Sequence, residues 1–180
     1  MASFSVEWIY KLPGNVLYHS GMTFKHNYIF KDKKPKPRMV ITKDGRILIM
    51  KNYSWDGCTP KFRFWDLYFG TPEGAMHDVT LKPKTYYASL VHDSLYQFYK
   101  KGRPYLLRDA DRLFLEILRN YDFAPRNIYY LFVRVFGLPV QKISNWKRKN
   151  EGTMAIVEDS DTVLQELLNQ PHEEILFKEL

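Results

Sequence analysis

The stretch TYYASLVHDSLYQFYKKGRPYLLRDADRLFLEILRNY, from Thr85 to Tyr121, decides how this chain folds. Apolar residues recur at helical spacing on both sides of a break at Gly102 and Pro104. Because glycine and proline end helices, the stretch predicts two antiparallel helices joined by a short turn. Thr85 is a residue type that caps helices, and we expect it to begin the first one.

His92 and Asp111 are equally far along the sequence from the centre of that turn. Such residues lie side by side in an antiparallel hairpin, so we expect the two side chains to meet. A carboxylate on an apolar stripe needs a partner, which the imidazole can provide. Tyr96 lies one turn after His92 on the same face, whereas Asp93 points about 100° away around the helix. The pattern predicts that Asp111 holds the imidazole and that Asp93 stays available for another ligand.

A His–Asp pair with a second acid beside it suits hydrolysis by a water molecule. The imidazole takes the proton from water, and a buried Asp orients the ring and stabilises the imidazolium. Asp93 is then a candidate ligand for a hard cation such as Ca²⁺, which also needs carbonyl oxygens from a loop. Gly70 and Gly74 of YFGTPEG (68–74) permit the tight turns that direct carbonyls towards an ion. The cation would stabilise the developing oxyanion.

The composition and the order of the predicted elements indicate a folded α+β protein. Apolar residues make up 45% and aromatic residues 16% of the chain, which is too much for a disordered polymer. The predicted strands are 4–10, 26–30, 39–42 and 46–50, and the predicted helices after Tyr121 are 128–137, 140–150 and 160–169. Asp44-Gly45 favours a tight hairpin between the last two strands. A β-rich N-terminal third followed by helices is typical of α+β folds.

Charge divides the chain into two parts. Residues 151–180 carry a net charge of −7, so residues 1–150 carry +14. We interpret residues 1–150 as a single α+β domain. The acidic C-terminal tail, 151–180, contains a short amphipathic helix and either folds back over a basic surface or forms a mobile arm. A basic body attracts phosphate-rich partners, and we favour an anionic membrane surface over nucleic acid. The proline-containing basic loop 31–38 is interpreted as an exposed turn.

Cysteine usage and hydropathy bear on the compartment. Cys58 is the single cysteine of the sequence, which excludes an internal disulfide and fits a reducing compartment. The N-terminus lacks the basic segment and apolar run of a signal peptide. No stretch approaches the ~20 apolar residues that a membrane span needs. We therefore expect neither a signal peptide nor a transmembrane segment.

The helical hairpin resembles the catalytic core of secreted-type phospholipase A2, and in particular the phospholipase A2 domain of parvovirus capsid proteins. The matching residues are Tyr68-Phe69-Gly70, Ala88, His92-Asp93, Tyr96, Gly102, Pro104-Tyr105, Ala110-Asp111 and Phe114. The resemblance covers residues 68–136 and implies a calcium-dependent lipid acyl hydrolase that acts on phospholipid. The site residues that it implies are catalytic His92, Asp111 and Tyr96, and metal-binding Asp93, Gly70 and Gly74. The chain departs from the secreted enzymes in its glycine-poorer loop and its lack of disulfides.

A second resemblance, to a phage-associated family of unknown function, covers more of the chain. Its pattern is DG-x-[ST]-x-P, G-x-P-x-G, HD-x-[LW]-Y, AD-x-x-F and Y-x-x-[VF]-R-x-F-G. The matching segments are Asp56 to Pro60, which is one residue short, Gly70 to Gly74, His92 to Tyr96, Ala110 to Phe114 and Tyr130 to Gly137. Asp56 and Gly57 are possible accessory site residues. The resemblance implies a phage protein located in the host cytoplasm or associated with the virion.

Two alternatives stay open. A non-catalytic phage structural or host-interaction protein would keep the His–Asp pair for stability, since a likeness of fold does not carry function. LVHDSLY also resembles the HD motif of metal phosphohydrolases, which needs a further upstream histidine. His77 is the candidate for that ligand, in a segment that we expect to be a loop.

Overall fold

The computed structural model describes residues 10–32, 36–55, 57, 76–100, 102–135 and 152–175, and the backbone of 63–64 and 67–68. Its helices are α1 (Tyr86–Phe98), α2 (Leu107–Asn120), α3 (126–135) and α4 (Thr162–Leu168). Its strands are β1 (Tyr10–Lys11), β2 (Asn15–His19), β3 (Asn27–Lys31), β4 (Pro37–Ile41), β5 (Arg46–Ile49), β6 (Ser54–Trp55), β7 (Arg63–Phe64), β8 (Leu67–Tyr68), β9 (Thr153–Val157) and β10 (His172–Glu174). The predicted α+β class is confirmed.

Within these described residues, six strands form the main sheet, in the order β10-β2-β5-β4-β3-β9. All neighbours are antiparallel except β10 and β2, which are parallel. The predicted hairpin is confirmed as β4 and β5, in which Val40 pairs with Leu48. Gly45 turns the chain with φ of +85°, and a Cβ there would lie 2.0 Å from the carbonyl oxygen of Met22. Glycine is therefore required at this turn.

The four central strands of the main sheet, β2, β5, β4 and β3, are buried on both faces. One face packs against α1 and α2 through Val16, Tyr18, Tyr28, Phe30, Met39, Ile41, Ile47 and Ile49. The opposite face packs against Leu164 and Leu167 of α4 through Leu17, Ile29, Val40 and Leu48. Successive strand residues point to opposite faces, so a strand covered on both sides reads as a continuous apolar run rather than an alternating one. One face of the sheet is thus the surface on which the helical hairpin packs.

The helices α1 and α2 form the predicted hairpin. They pack along each other, and the intervening Gly102 has φ of +88°, a conformation that glycine adopts without strain. Trp55 ties the hairpin to the strands, because its indole N–H donates to the hydroxyl of Ser89 on α1 at 3.1 Å. Thr85 is the N-cap residue of α1, as predicted, but it does not cap through its side chain. Its backbone is already helical, and its side chain makes no capping hydrogen bond.

The C-terminal segment is part of the main sheet. Strand β9 pairs with β3 at one edge, α4 crosses the second face, and β10 pairs with β2 at the other edge. The interpretation of 151–180 as a tail with one short helix missed both strands, although α4 confirms the predicted helix at 160–169. The described residues 152–175 therefore contribute strands to the same sheet as residues 15–49. Residues 152–175 lie against the body through strand pairing and apolar packing, and the basic surface beneath them stays a prediction.

Several expected elements fall partly or wholly outside the described residues. The predicted strand 4–10 contributes only its last residue, Tyr10, to the description, and the predicted helix 140–150 lies outside it. Helix α3 confirms the predicted third helix as far as residue 135. Of the basic loop, Lys31 belongs to β3 and Arg38 to β4, where the Arg38 Nε donates to Asp32 at 2.7 Å.

Candidate functional site

The hairpin brings His92 and Asp111 together across its two helices. The Nε2 atom of His92 lies 3.1 Å from Oδ1 of Asp111, which is hydrogen-bond distance. Both residues are buried, with 7% of His92 and 1% of Asp111 exposed. The contact predicted from their equal distance to the turn is confirmed. Their catalytic role stays a prediction.

Tyr96 completes the contact from the next turn of α1. Its hydroxyl donates to the same Oδ1 of Asp111 at 2.6 Å. Its ring stacks on the imidazole of His92 with 4.1 Å between centroids, and Phe114 of α2 lies 5.2 Å from that imidazole. Two aromatic rings therefore restrict the orientation of His92, and two donors hold one oxygen of Asp111. Tyr96 lies where the sequence predicted it.

Asp93 is not placed as predicted. Its Oδ1 lies 3.2 Å from Nδ1 of His92, so the imidazole has a carboxylate at each ring nitrogen. The expectation that Asp93 stays clear of the ring, because consecutive helical residues diverge by about 100°, is wrong. That angle separates the Cβ directions, whereas the flexible end of the aspartate side chain reaches back to its neighbour. Asp93 is also the more accessible of the two acids, with 25% of its side chain exposed.

Arg134 of α3 is a site residue that the sequence reasoning did not single out. Its Nη1 donates to Oδ2 of Asp111 at 3.0 Å, and 42% of its side chain is exposed. The signal was present, because Arg134 is a cation among apolar residues in the segment Tyr130 to Gly137. Asp93, His92, Asp111 and Arg134 thus form a row of charged groups of alternating sign.

The row sets the protonation of its members. Burial lowers the pKa of His92, but hydrogen bonds and charges from Asp111 and Asp93 outweigh it and raise the pKa above 6.5. Burial raises the pKa of Asp111, but bonds from His92, Tyr96 and Arg134 outweigh it and bring the pKa below 3.8. Burial and the bond to Asp111 raise the pKa of Tyr96. The two carboxylates therefore favour the imidazolium form of His92, and Tyr96 stays a hydroxyl donor.

The predicted metal and accessory residues lie mostly outside the described residues. Gly70, Gly74 and Asp56 lie outside the described residues, and Gly57 occupies a turn with φ of +73°. Over the ranges that the structure does describe, no group of three or more His, Cys, Asp or Glu side chains could hold a metal ion. Asp93 is consequently the one predicted calcium ligand among the described residues.

His77 does not join the pair. Its ring lies 4.9 Å from that of Tyr121, at the C-terminal end of α2, and its Nδ1 accepts from the backbone N–H of Thr80 at 3.3 Å. The described residues include His77, His92, Asp93 and Asp111, yet they do not converge into a metal site. The geometry therefore gives the metal phosphohydrolase alternative no support.

Comparison with protein-family models, with curated proteins and with solved structures found no match to this chain. Membership in the phage-associated family accordingly stays a prediction. Among the described helices, none is long and apolar enough to cross a membrane.

Proposed function

We propose that this chain is a calcium-dependent lipid acyl hydrolase of the phospholipase A2 type, or a descendant of one, encoded by a phage. The observation that supports the proposal is the contact in which His92 and Tyr96 share one oxygen of buried Asp111. An aspartate held in this way orients the imidazole and stabilises its positive charge, as a general base acting on water requires. The basic body suits phospholipid in an anionic surface as the substrate.

Nδ1 of His92 is the atom that would accept the proton from water, because Nε2 faces Asp111. In the present arrangement Asp93 lies 3.2 Å from that nitrogen. Turnover therefore requires the side chain of Asp93 to rotate away from Nδ1. The rotation also removes one of the two carboxylates that raise the pKa of His92, so the imidazole loses its proton more readily.

Asp93 would hold Ca²⁺ together with carbonyl oxygens at Gly70 and Gly74. Its carboxylate is the hard oxygen donor that this cation prefers, and a quarter of its side chain is exposed. Since Ca²⁺ takes roughly six to eight oxygen ligands, the loop 70–74 and water have to supply the others. When bound, the cation supplies electrostatic stabilisation of the ester oxygen.

The test is fatty-acid release from mixed anionic vesicles together with calorimetry of Ca²⁺ binding. His92→Gln should abolish release and leave Ca²⁺ binding intact. Asp93→Asn should lose both, because it removes the charged metal ligand. His19→Gln, which alters an exposed histidine at the end of β2, should retain both. If the wild type binds no Ca²⁺ at millimolar concentration and releases no fatty acid, the hydrolase proposal is wrong.

A non-catalytic phage structural or host-interaction protein is the second candidate, and one observation favours it. Both ring nitrogens of His92 face carboxylates, and Arg134 donates to Asp111, so these four side chains already pair with one another without a ligand. A network satisfied in this way stabilises the fold. On this proposal, Ca²⁺ has no effect on the melting temperature of the wild type, whereas the hydrolase proposal expects a rise, since a ligand that binds only the folded state stabilises it.

A further inference from the structure

Helix α3 carries an apolar stripe that faces solvent. The exposed fractions are 58% for Ile128, 62% for Leu131 and 53% for Val135. Their spacing of three and four residues places them on one side of the helix. Tyr129 and Val133, on the other side, pack against the core. A contiguous exposed apolar stripe on a folded helix marks a binding surface more often than scattered single residues do.

Arg134 lies along the edge of this α3 stripe. It is three residues after Leu131, which places it about 60° away around the helix. A guanidinium has five N–H donors, and in the part of the chain that the structure describes Asp111 is the acceptor paired with Arg134. With 42% of the side chain exposed, donors remain on its solvent side. The guanidinium therefore connects the buried His–Asp pair with the apolar surface.

We propose that Arg134 and the α3 stripe bind a single-chain amphiphile with a phosphate-type headgroup. The headgroup is held by Arg134, and the hydrocarbon chain lies on Ile128, Leu131 and Val135. The planar fork of a guanidinium matches phosphate oxygens, and the net charge of +7 on the whole chain favours an anion. The headgroup would then lie beside Asp111 and His92. That the bound amphiphile is also the substrate rests on the proposed function.

The binding can be measured without turnover, using three probes at monomeric concentrations. Octyl phosphate has both parts, octyl glucoside has the same chain with a neutral head, and inorganic phosphate has the head alone. We expect the wild type to bind octyl phosphate at least tenfold more tightly than either of the others. Equal affinity for octyl glucoside would refute a role for Arg134, and equal affinity for inorganic phosphate would refute a role for the stripe.

Variants assign the two parts of the surface. Arg134→Gln should weaken octyl phosphate binding about tenfold, as expected for loss of a charge-assisted hydrogen bond. Arg108→Gln, which removes an exposed arginine from the first turn of α2, should leave the affinity unchanged. Leu131→Asn should weaken octyl phosphate but not inorganic phosphate, whereas Val163→Asn, at a 47% exposed position of α4, should weaken neither. Equal losses in a variant and its control would contradict the assignment.

Binding to Arg134 can also be measured in the wild type by nuclear magnetic resonance, without any variant that could fold poorly. Octyl phosphate should shift the side-chain Nε–Hε resonance of Arg134 in a nitrogen–proton spectrum, and shifts confined to other arginines would overturn the proposal. The two proposals also fail separately. If the wild type binds octyl phosphate through Arg134 but releases no fatty acid, the hydrolase proposal is wrong and the binding-surface proposal stands. If Arg134→Gln changes neither hydrolysis nor octyl phosphate binding, the binding-surface proposal is wrong and the hydrolase proposal stands.

Discussion

Asp111→Ala should destabilise the protein strongly, because several neighbours depend on its carboxylate. The side chain is 1% exposed and accepts from Nε2 of His92, the hydroxyl of Tyr96 and Nη1 of Arg134. After the substitution buried His92 and half-buried Tyr96 lose that acceptor, at about 1–3 kcal/mol for each unsatisfied group. Arg134 loses less, because 42% of its side chain already meets water.

Breaking a buried ion pair by removing one partner costs about 3–5 kcal/mol, which agrees with the sum for His92 and Tyr96. For a chain of this length each kcal/mol lowers the melting temperature by about 2–4 °C, so we expect a loss of about 6–20 °C near neutral pH. Thermal unfolding followed by circular dichroism measures it. Glu116→Ala removes an exposed acid from the same helix and should change the free energy of unfolding by less than about 0.5 kcal/mol.

The penalty of Asp111→Ala should also depend on pH. The folded-state pKa of His92 is raised, so its contribution is complete below pH 6.5 and is lost as pH rises through the folded value. The folded-state pKa of Asp111 is lowered, so its contribution is complete above pH 3.8 and is lost as pH falls through the folded value. The gap between wild type and variant should be widest between those limits. Equal melting temperatures for wild type and Asp111→Ala would refute the ion pair. A difference in melting temperature that does not change with pH would refute it as well.

Three further substitutions test other parts of the fold. Asp93→Asn should lower the pKa of His92 in metal-free protein, because it removes one of the carboxylates that raise it; titration of the imidazole proton resonances measures this shift. Leu164→Ala should cost about 2–5 kcal/mol in urea unfolding, since the side chain is 1% exposed, whereas Val163→Ala, at 47%, should cost almost nothing. Gly45→Ala should destabilise by more than about 1 kcal/mol, because the new Cβ would overlap a backbone carbonyl at a positive φ; an unchanged denaturation midpoint would count against this close approach of Gly45 to Met22.

Local patterns were enough to predict the elements that carry the site. The helical hairpin and the β4–β5 hairpin each follow from residues within about forty positions of one another, where periodicity and turn chemistry act directly. The contact between His92 and Asp111 follows as well, because antiparallel packing around one turn leaves little choice of register. Asp44-Gly45 predicted its turn for the same reason.

The tertiary structure alone decided what depends on distant partners. Asn27 pairs with Val157 and Asn15 with His172, more than a hundred positions apart, through backbone hydrogen bonds that every residue except proline can make. No local pattern marks the partner of such an edge strand, so β9 and β10 were missed. The contacts among Asp93, His92, Asp111 and Arg134 also depend on tertiary packing. Helix α3 had to fold against α2 before Arg134 met Asp111, and the turn of the Asp93 side chain onto His92 depends on rotamers and burial rather than on the spacing of residues along a helix.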